Sequence, residues 1–130
     1  MSWAAELLVH AIAVEREGAR RYADLARRMA ECREARAAAL FAELARQEEE
    51  HLSSLQARSA GLPLPELTSD HSWRERGGPA ADALQAEKDA RAFFEQAGRV
   101  APDPLARSLA EEMTAEEMEH IARLEALTRG

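Results

Sequence analysis

The sequence predicts an all-α fold, a four-helix bundle made of two helical hairpins joined by a long crossover. Ala, Glu, Leu and Arg dominate the 130 residues and aromatic residues make up only 5%, a composition that favours helices over sheets. Apolar residues recur at steps of three and four through most of the chain. The long stretch without this pattern, residues 61–78, is rich in Gly and Pro. A chain of 14.4 kDa with this pattern is expected to form one domain, residues 1–130.

The first hairpin is predicted over about residues 3–59. Its first helix runs from Trp3 to about Met29, and its second from about Arg33 to Arg58. The break between them, within residues 30–34, is inferred from the loss of stripe phase, since this segment contains neither Gly nor Pro. Gly61 and the prolines that follow it end the second helix.

A crossover over residues 61–78 then leads to the second hairpin, predicted over about residues 79–128. Its 18 residues can extend to about 60 Å, enough to travel the length of a bundle. The third helix begins at Pro79 and is expected to end near Ala97, because Gly98 follows. Asp103 is a suitable N-cap and Pro104 a suitable first residue for the fourth helix, which ends near Thr128.

Charge and cysteine content exclude several classes of protein. The formal net charge is −7 and the basic residues are interspersed with acids, so no basic stripe is available for nucleic acid. No apolar run has the length of a membrane span and the N-terminus does not resemble a secretory signal, so we expect a cytoplasmic protein without a membrane partner. Cys32 is the single cysteine, which excludes an internal disulfide and a four-thiolate centre.

Two Glu-x-x-His pairs lie inside apolar stripes, where an unpaired carboxylate is normally excluded. Steps of three and four from Glu48 pass through Leu44, His51 and Leu52, whereas Glu49 falls off this stripe. The same steps from Glu117 give the following members of a second stripe: Leu109, Ala110, Met113, His120, Ile121 and Leu124. Both pairs are therefore predicted to face the core.

An internal repeat connects these pairs with two further glutamates. Glu15 precedes Tyr22 by seven residues and Glu48 by 33; Glu87 precedes Phe94 by seven residues and Glu117 by 30. All four glutamates are expected at one level of the bundle. With both histidines they form the ligand set of a carboxylate-bridged dinuclear metal site.

The predicted metal ligands are Glu15, Glu48, His51, Glu87, Glu117 and His120. Oxygen and nitrogen donors without thiolate suit two ions of iron or manganese, and zinc is a possible substitute. Geometry favours Glu48 and Glu117 as bridges, with the other four residues each binding one metal.

Four other residues are not predicted to bind metal. Tyr22 is a core aromatic that could also donate a hydrogen bond to a ligating carboxylate. His10 and His71 are expected on the surface, and Cys32 receives no role.

The pattern Ala11-Ile-Ala-Val-Glu15-Arg-Glu-Gly-Ala-Arg-Arg-Tyr22, followed by Phe41-x-x-Leu44-Ala45-x-x-Glu48-x-x-His51, resembles the rubrerythrin-like branch of the ferritin-like superfamily. Glu87-Lys-Asp-Ala-Arg-Ala-Phe-Phe94 and Glu117-x-x-His120 are similar too. The resemblance implies a ferritin-like four-helix bundle with a di-iron centre at the six ligands and chemistry with peroxide or dioxygen.

This chain departs from the rubrerythrin pattern at two places. It has no rubredoxin-like domain with four iron-binding cysteines, and it carries Ala90 where rubrerythrins carry an extra glutamate on the third helix. A peroxidase would therefore need a separate protein as electron donor.

Three functions are compatible with the sequence. The first is a di-iron oxidoreductase of peroxidase or ferroxidase type, acting on hydrogen peroxide, dioxygen or Fe(II). The second is iron storage or delivery without turnover, and the third is a non-enzymatic helical interaction module with a vestigial site. We also expect a homodimer, in which the hairpins either pack within one chain or are swapped between chains.

Overall fold

A computed structural model describes residues 2–67 and 69–129. Four helices account for most of this range: α1 (Trp3–Glu31), α2 (Ala35–Ser59), α3 (Pro79–Val100) and α4 (Pro104–Arg129). In this part of the chain no helix is long and apolar enough to cross a membrane. The all-α prediction is confirmed.

Local chemistry explains where these helices begin. The Ser2 hydroxyl accepts a 3.1 Å hydrogen bond from the amide of Ala5 at the start of α1. Asp103 caps α4, because its Oδ1 accepts a 2.8 Å hydrogen bond from the amide of Ala106. These side chains bind amides that lack partners within the helix.

Two predicted boundaries differ from the structure. The turn between α1 and α2 contains Arg33 at a positive φ of 61°, so α2 begins after the predicted start at Arg33. The predicted end of the third helix was wrong, because α3 passes through Gly98. A Cβ atom on Gly98 would lie 3.3 Å from the Cβ of Ala110, so this glycine permits close approach of α3 to α4 instead of ending the helix.

The core has two apolar clusters at different heights. The first contains Leu7, Leu8, Ala11, Ile12, Leu52, Leu55, Ala90, Phe94, Leu109, Ala110 and Met113. The second contains Tyr22, Leu25, Phe41, Leu44, Ala83 and Leu124. In chain order, α1 and α4 pass from the first cluster to the second, whereas α2 and α3 pass from the second to the first. The chain must therefore return along the whole bundle between α2 and α3, as the crossover prediction required.

The crossover lies along α1 and is held there by side chains. The Trp73 ring packs edge-on against Tyr22, with ring centroids 4.9 Å apart, and the Trp73 amide donates a 3.2 Å hydrogen bond to Glu17. Nearer the start of α1, His10 Nδ1 lies 2.9 Å from His71 Nε2. The expectation that both histidines lie on the surface was wrong, because each is partly buried against this segment.

Candidate metal centre

The six predicted ligands lie in a layer between the two apolar clusters. On α1, for example, Glu15 lies between Ile12 of the first cluster and Tyr22 of the second. Five of the six are at most 4% exposed: Glu15, Glu48, Glu87, Glu117 and His120. The side chain of His51 is 14% exposed. The helical phase inferred from the stripes is correct, since exposed Glu49 and Glu50 point elsewhere.

One carboxylate–histidine group joins the two hairpins at full burial. His120 Nδ1 lies 2.7 Å from Oε2 of Glu87 and 3.1 Å from Oε1 of Glu48. The hydroxyl of Tyr22 donates a 2.8 Å hydrogen bond to the same Oε2 of Glu87. The hydrogen bond expected of Tyr22 is therefore present, and it orients a carboxylate of the opposite hairpin.

A second group lies nearer the solvent. His51 Nδ1 lies 2.6 Å from Oε1 of Glu15 and 2.6 Å from Oε2 of Glu116. The other ring nitrogen, Nε2, lies 3.1 Å from the more exposed Glu112. In each group, one ligand atom per residue lies within 4.8 Å of the others, which is the spacing of donors around one cation.

Glu117 belongs to neither group by hydrogen bonding. Among the described residues, both of its oxygens and Oε2 of Glu15 are buried without a hydrogen-bond partner. Buried carboxylate oxygens are costly unless a donor or a cation binds them. The charges of Glu87, Glu48 and Glu15 all act on Glu117, so its unpartnered oxygens lie near members of both carboxylate–histidine groups and fit a metal cluster.

The pKa values of residues in the layer also favour bound cations. Burial, and then contact with Glu48, raise the pKa of Glu15 to about 12. Burial and the charge of Glu87 raise the pKa of Glu117 well above its usual value. Burial acts to lower the pKa of His51, but the carboxylates of Glu116 and Glu15 raise it to about 10. These carboxylates repel one another when ionised, and bound cations would stabilise their charged forms.

Gly18 makes room for one of the central carboxylates. A Cβ atom on this residue of α1 would lie 2.9 Å from Cδ of Glu48 and still closer to its Oε2. Any side chain at this position would therefore displace Glu48. The glycine is explained by close approach to the carboxylate, since its position within α1 requires no unusual backbone angle.

A cavity of about 620 Å³ leads from the crossover to this edge of the layer. Its walls include Gly18, Glu48 and Glu87 on the inner side and His71 and Trp73 on the crossover side. A small polar molecule would reach the carboxylates by this route.

Glu116 is the functional candidate that the sequence stripes missed. The count from Glu117 bypasses the preceding residue, although position 116 lies three residues after Met113 and four before His120. That relation places it at the edge of the same stripe. A stripe drawn one residue wider would have included Glu116.

The fold and the site define a class: a four-helix bundle with a layer of carboxylates and two histidines suited to bind metal. The chain belongs to the rubrerythrin family, because residues 6–71, just over half of the sequence, match that family. The matched part contains Glu15, Glu48 and His51; the other three predicted ligands lie in the second hairpin.

A solved structure extends the similarity over the second hairpin. An uncharacterised conserved protein from Magnetospirillum magnetotacticum MS-1, with a crystal structure at 2.00 Å, is 30% identical to this chain. The alignment covers 95% of this chain and 91% of that chain, with a TM-score of 0.89. A search of curated proteins found no match. The ferritin-like fold of the rubrerythrin branch therefore extends through all four helices.

Proposed function

We propose that this protein is a non-haem di-iron carboxylate oxidoreductase that acts on hydrogen peroxide, dioxygen or Fe(II). The observation that carries the proposal is Glu117, whose two buried oxygens have no hydrogen-bond partner among the described residues. The charges of Glu87, Glu48 and Glu15, which are members of the two carboxylate–histidine groups, all act on Glu117. Membership of the rubrerythrin family and a donor set without thiolate favour iron.

The residues would divide into two metal positions. Glu15 and His51 would bind one ion, and Glu87 and His120 the other. Glu48 and Glu117 would bridge them. Iron bound there would supply electron transfer to peroxide or dioxygen.

The protein's own contribution is to hold the carboxylates and control access. Tyr22 fixes the orientation of Glu87. The apolar clusters above and below the layer limit the access of water along the bundle axis, and the cavity beside Gly18 admits a small polar substrate. Its lining by Glu48, Glu87 and several other charged residues suits a small polar molecule such as peroxide better than a large apolar substrate.

Reduction of peroxide requires an external source of electrons. Converting one hydrogen peroxide to two waters consumes two electrons and two protons. The chain has one exposed cysteine, Cys32, and no rubredoxin-type cysteine set, so we propose a separate electron-donor protein. A ferroxidase needs no such donor, since Fe(II) itself supplies the electrons.

The test begins with metal content. We expect two iron ions per chain after anaerobic loading with Fe(II), followed by oxidation of that iron on addition of peroxide. Consumption of peroxide over many turnovers with a chemical reductant identifies a peroxidase, and continuous oxidation of added Fe(II) by dioxygen identifies a ferroxidase. Less than one metal ion per chain would refute the dinuclear centre, and two bound ions inert to both oxidants would refute the oxidoreductase.

A further inference from the structure

The two halves of the internal repeat differ at the residue that precedes the central glutamate of each half. Glu48 and Glu117 are equivalent in the repeat, so the residues before them, Gln47 and Glu116, are equivalent too. One is a neutral amide and the other a carboxylate. The two halves of the centre are therefore chemically different.

The side chain of Gln47 forms hydrogen bonds with residues outside the metal centre. Its amide nitrogen donates a 3.1 Å hydrogen bond to Glu43, and its amide oxygen accepts a 3.3 Å hydrogen bond from Arg123. Glu43 is one turn back on the same helix, whereas Arg123 is on α4. This arrangement leaves the Glu48 side of the layer without an added carboxylate.

Glu116 points into the centre instead. Its Oε2 is 2.6 Å from His51 Nδ1, the same ring nitrogen that lies 2.6 Å from Glu15 Oε1. Beside them, Glu15 Oε2 is buried and unpartnered within the described part of the chain. Two carboxylates thus converge on one imidazole nitrogen, with a further buried oxygen adjacent.

We propose that Glu116 is a ligand of the metal ion held by Glu15 and His51, a fifth carboxylate in the centre. This inference rests on the proposed dinuclear centre. It makes the two metal positions unequal: one has the added carboxylate and a partly exposed histidine, and the other has a buried histidine and the hydrogen bond from Tyr22. It also supplies a carboxylate from α4 in a chain that has Ala90 on α3.

Glu116 could instead act only by orienting His51, and Glu116→Gln separates the two roles. The amide oxygen of Gln can still accept a hydrogen bond from the His51 ring, but a neutral amide is a poor ligand for iron or manganese. Glu112→Gln is the matched control, because Glu112 also contacts His51 from α4 but is 41% exposed and paired with Arg58.

The experiment is a titration of the metal-free proteins with Mn(II), using calorimetry for affinity and elemental analysis for stoichiometry. We expect two ions in the original protein and in Glu112→Gln. In Glu116→Gln one ion should bind with unchanged affinity and the other should bind more than about 100-fold more weakly, a larger loss than removal of an orienting hydrogen bond causes. Glu116→Asp keeps the charge but shortens the side chain, and should have an intermediate affinity for the second ion.

Two results would overturn the assignment. Two ions bound by Glu116→Gln at unchanged affinity would show that Glu116 only positions His51, leaving the dinuclear centre intact. Failure of the original protein to bind two ions would refute the centre itself, and Glu116 as its ligand with it. Circular dichroism of each metal-free variant checks that the helices are retained.

Discussion

The hydroxyl of Tyr22 on α1 donates a 2.8 Å hydrogen bond to Oε2 of Glu87 on α3, and so links the first hairpin to the second. The repeat places Phe94 at the equivalent position of the second hairpin, where it packs in an apolar cluster. The internal repeat therefore carries a hydrogen-bond donor at this position in only one half.

Replacing Tyr22 with Phe tests this link. Loss of a hydrogen bond to a buried carboxyl should lower the free energy of unfolding by about 1–3 kcal/mol. Because Glu87 loses its orienting donor, affinity for one of the two metal ions should fall about tenfold or more. Chemical denaturation and metal titration measure the two effects.

The converse variant is Phe94→Tyr, which puts a hydroxyl at the position equivalent to Tyr22. The repeat pairs this position with Glu15, whose Oε2 is buried without a partner among the described residues, so we expect only the affinity for the ion held by Glu15 to change. If both variants left metal affinity unchanged, the hydrogen bond would have no part in metal binding.

Replacing a buried glutamate of the layer should change how much Mn(II) raises the melting temperature, whereas replacing an exposed neighbour should not. Metal that binds the folded state raises its melting temperature. We expect Glu48→Ala and Glu117→Ala to abolish the rise caused by Mn(II), since both residues lie in the buried layer. Glu49→Ala and Glu50→Ala, at exposed positions, should retain it. Four identical responses in thermal melts would contradict the position of the site.

Gly18→Ala should weaken metal binding although it replaces none of the proposed metal ligands. Its Cβ would overlap the Glu48 carboxyl, so either Glu48 or α1 must shift. We expect weaker binding of both ions, because Glu48 is the proposed bridge. Gly98→Ala, also a helical glycine beside another helix, serves as the control and should leave metal affinity unchanged.

Much of this site could be predicted because helix periodicity reports which residues face inward. Glu48 and Glu117 were found in this way, and the repeat then supplied Glu15 and Glu87. The end of α3 was missed because Gly98 has the composition of a stop signal but serves close packing against Ala110. The partners of His10 and His71 were missed since 61 residues separate them, and no local pattern encodes the path of the crossover.

The histidine pair predicts a pH effect on the crossover. Burial lowers the pKa of His10, opposed by nearby Glu6. Burial and then the charge of His10 lower the pKa of His71, opposed by Asp70. Since the folded pKa values lie below the unfolded ones, the stabilisation is complete above about pH 6.5 and is lost as pH falls through the folded values.

Protonation of both rings also removes the acceptor of their hydrogen bond. Amide hydrogen exchange in residues 69–75, corrected for intrinsic chemistry, should therefore be faster at pH 5 than at pH 7. Replacing His71 with Asn should make this difference much smaller. An equal pH response in the two proteins would exclude the pair as its source.

The protein is proposed to form a dimer, and the last prediction concerns which chain supplies each half of the centre. A single chain brings His120 against Glu48 and His51 against Glu116, so one molecule contains both halves. Swapping hairpins between two chains would create the same contacts across chains.

Mixing refolded Glu48→Ala and Glu117→Ala chains distinguishes these arrangements. Because the centre is complete within one chain, we expect the mixture to recover no intact site, with every centre lacking one bridge. If metal titration instead detects one intact centre per heterodimer, the hairpins are exchanged between chains. Light scattering that reports only a 14.4 kDa species would refute the dimer in either form.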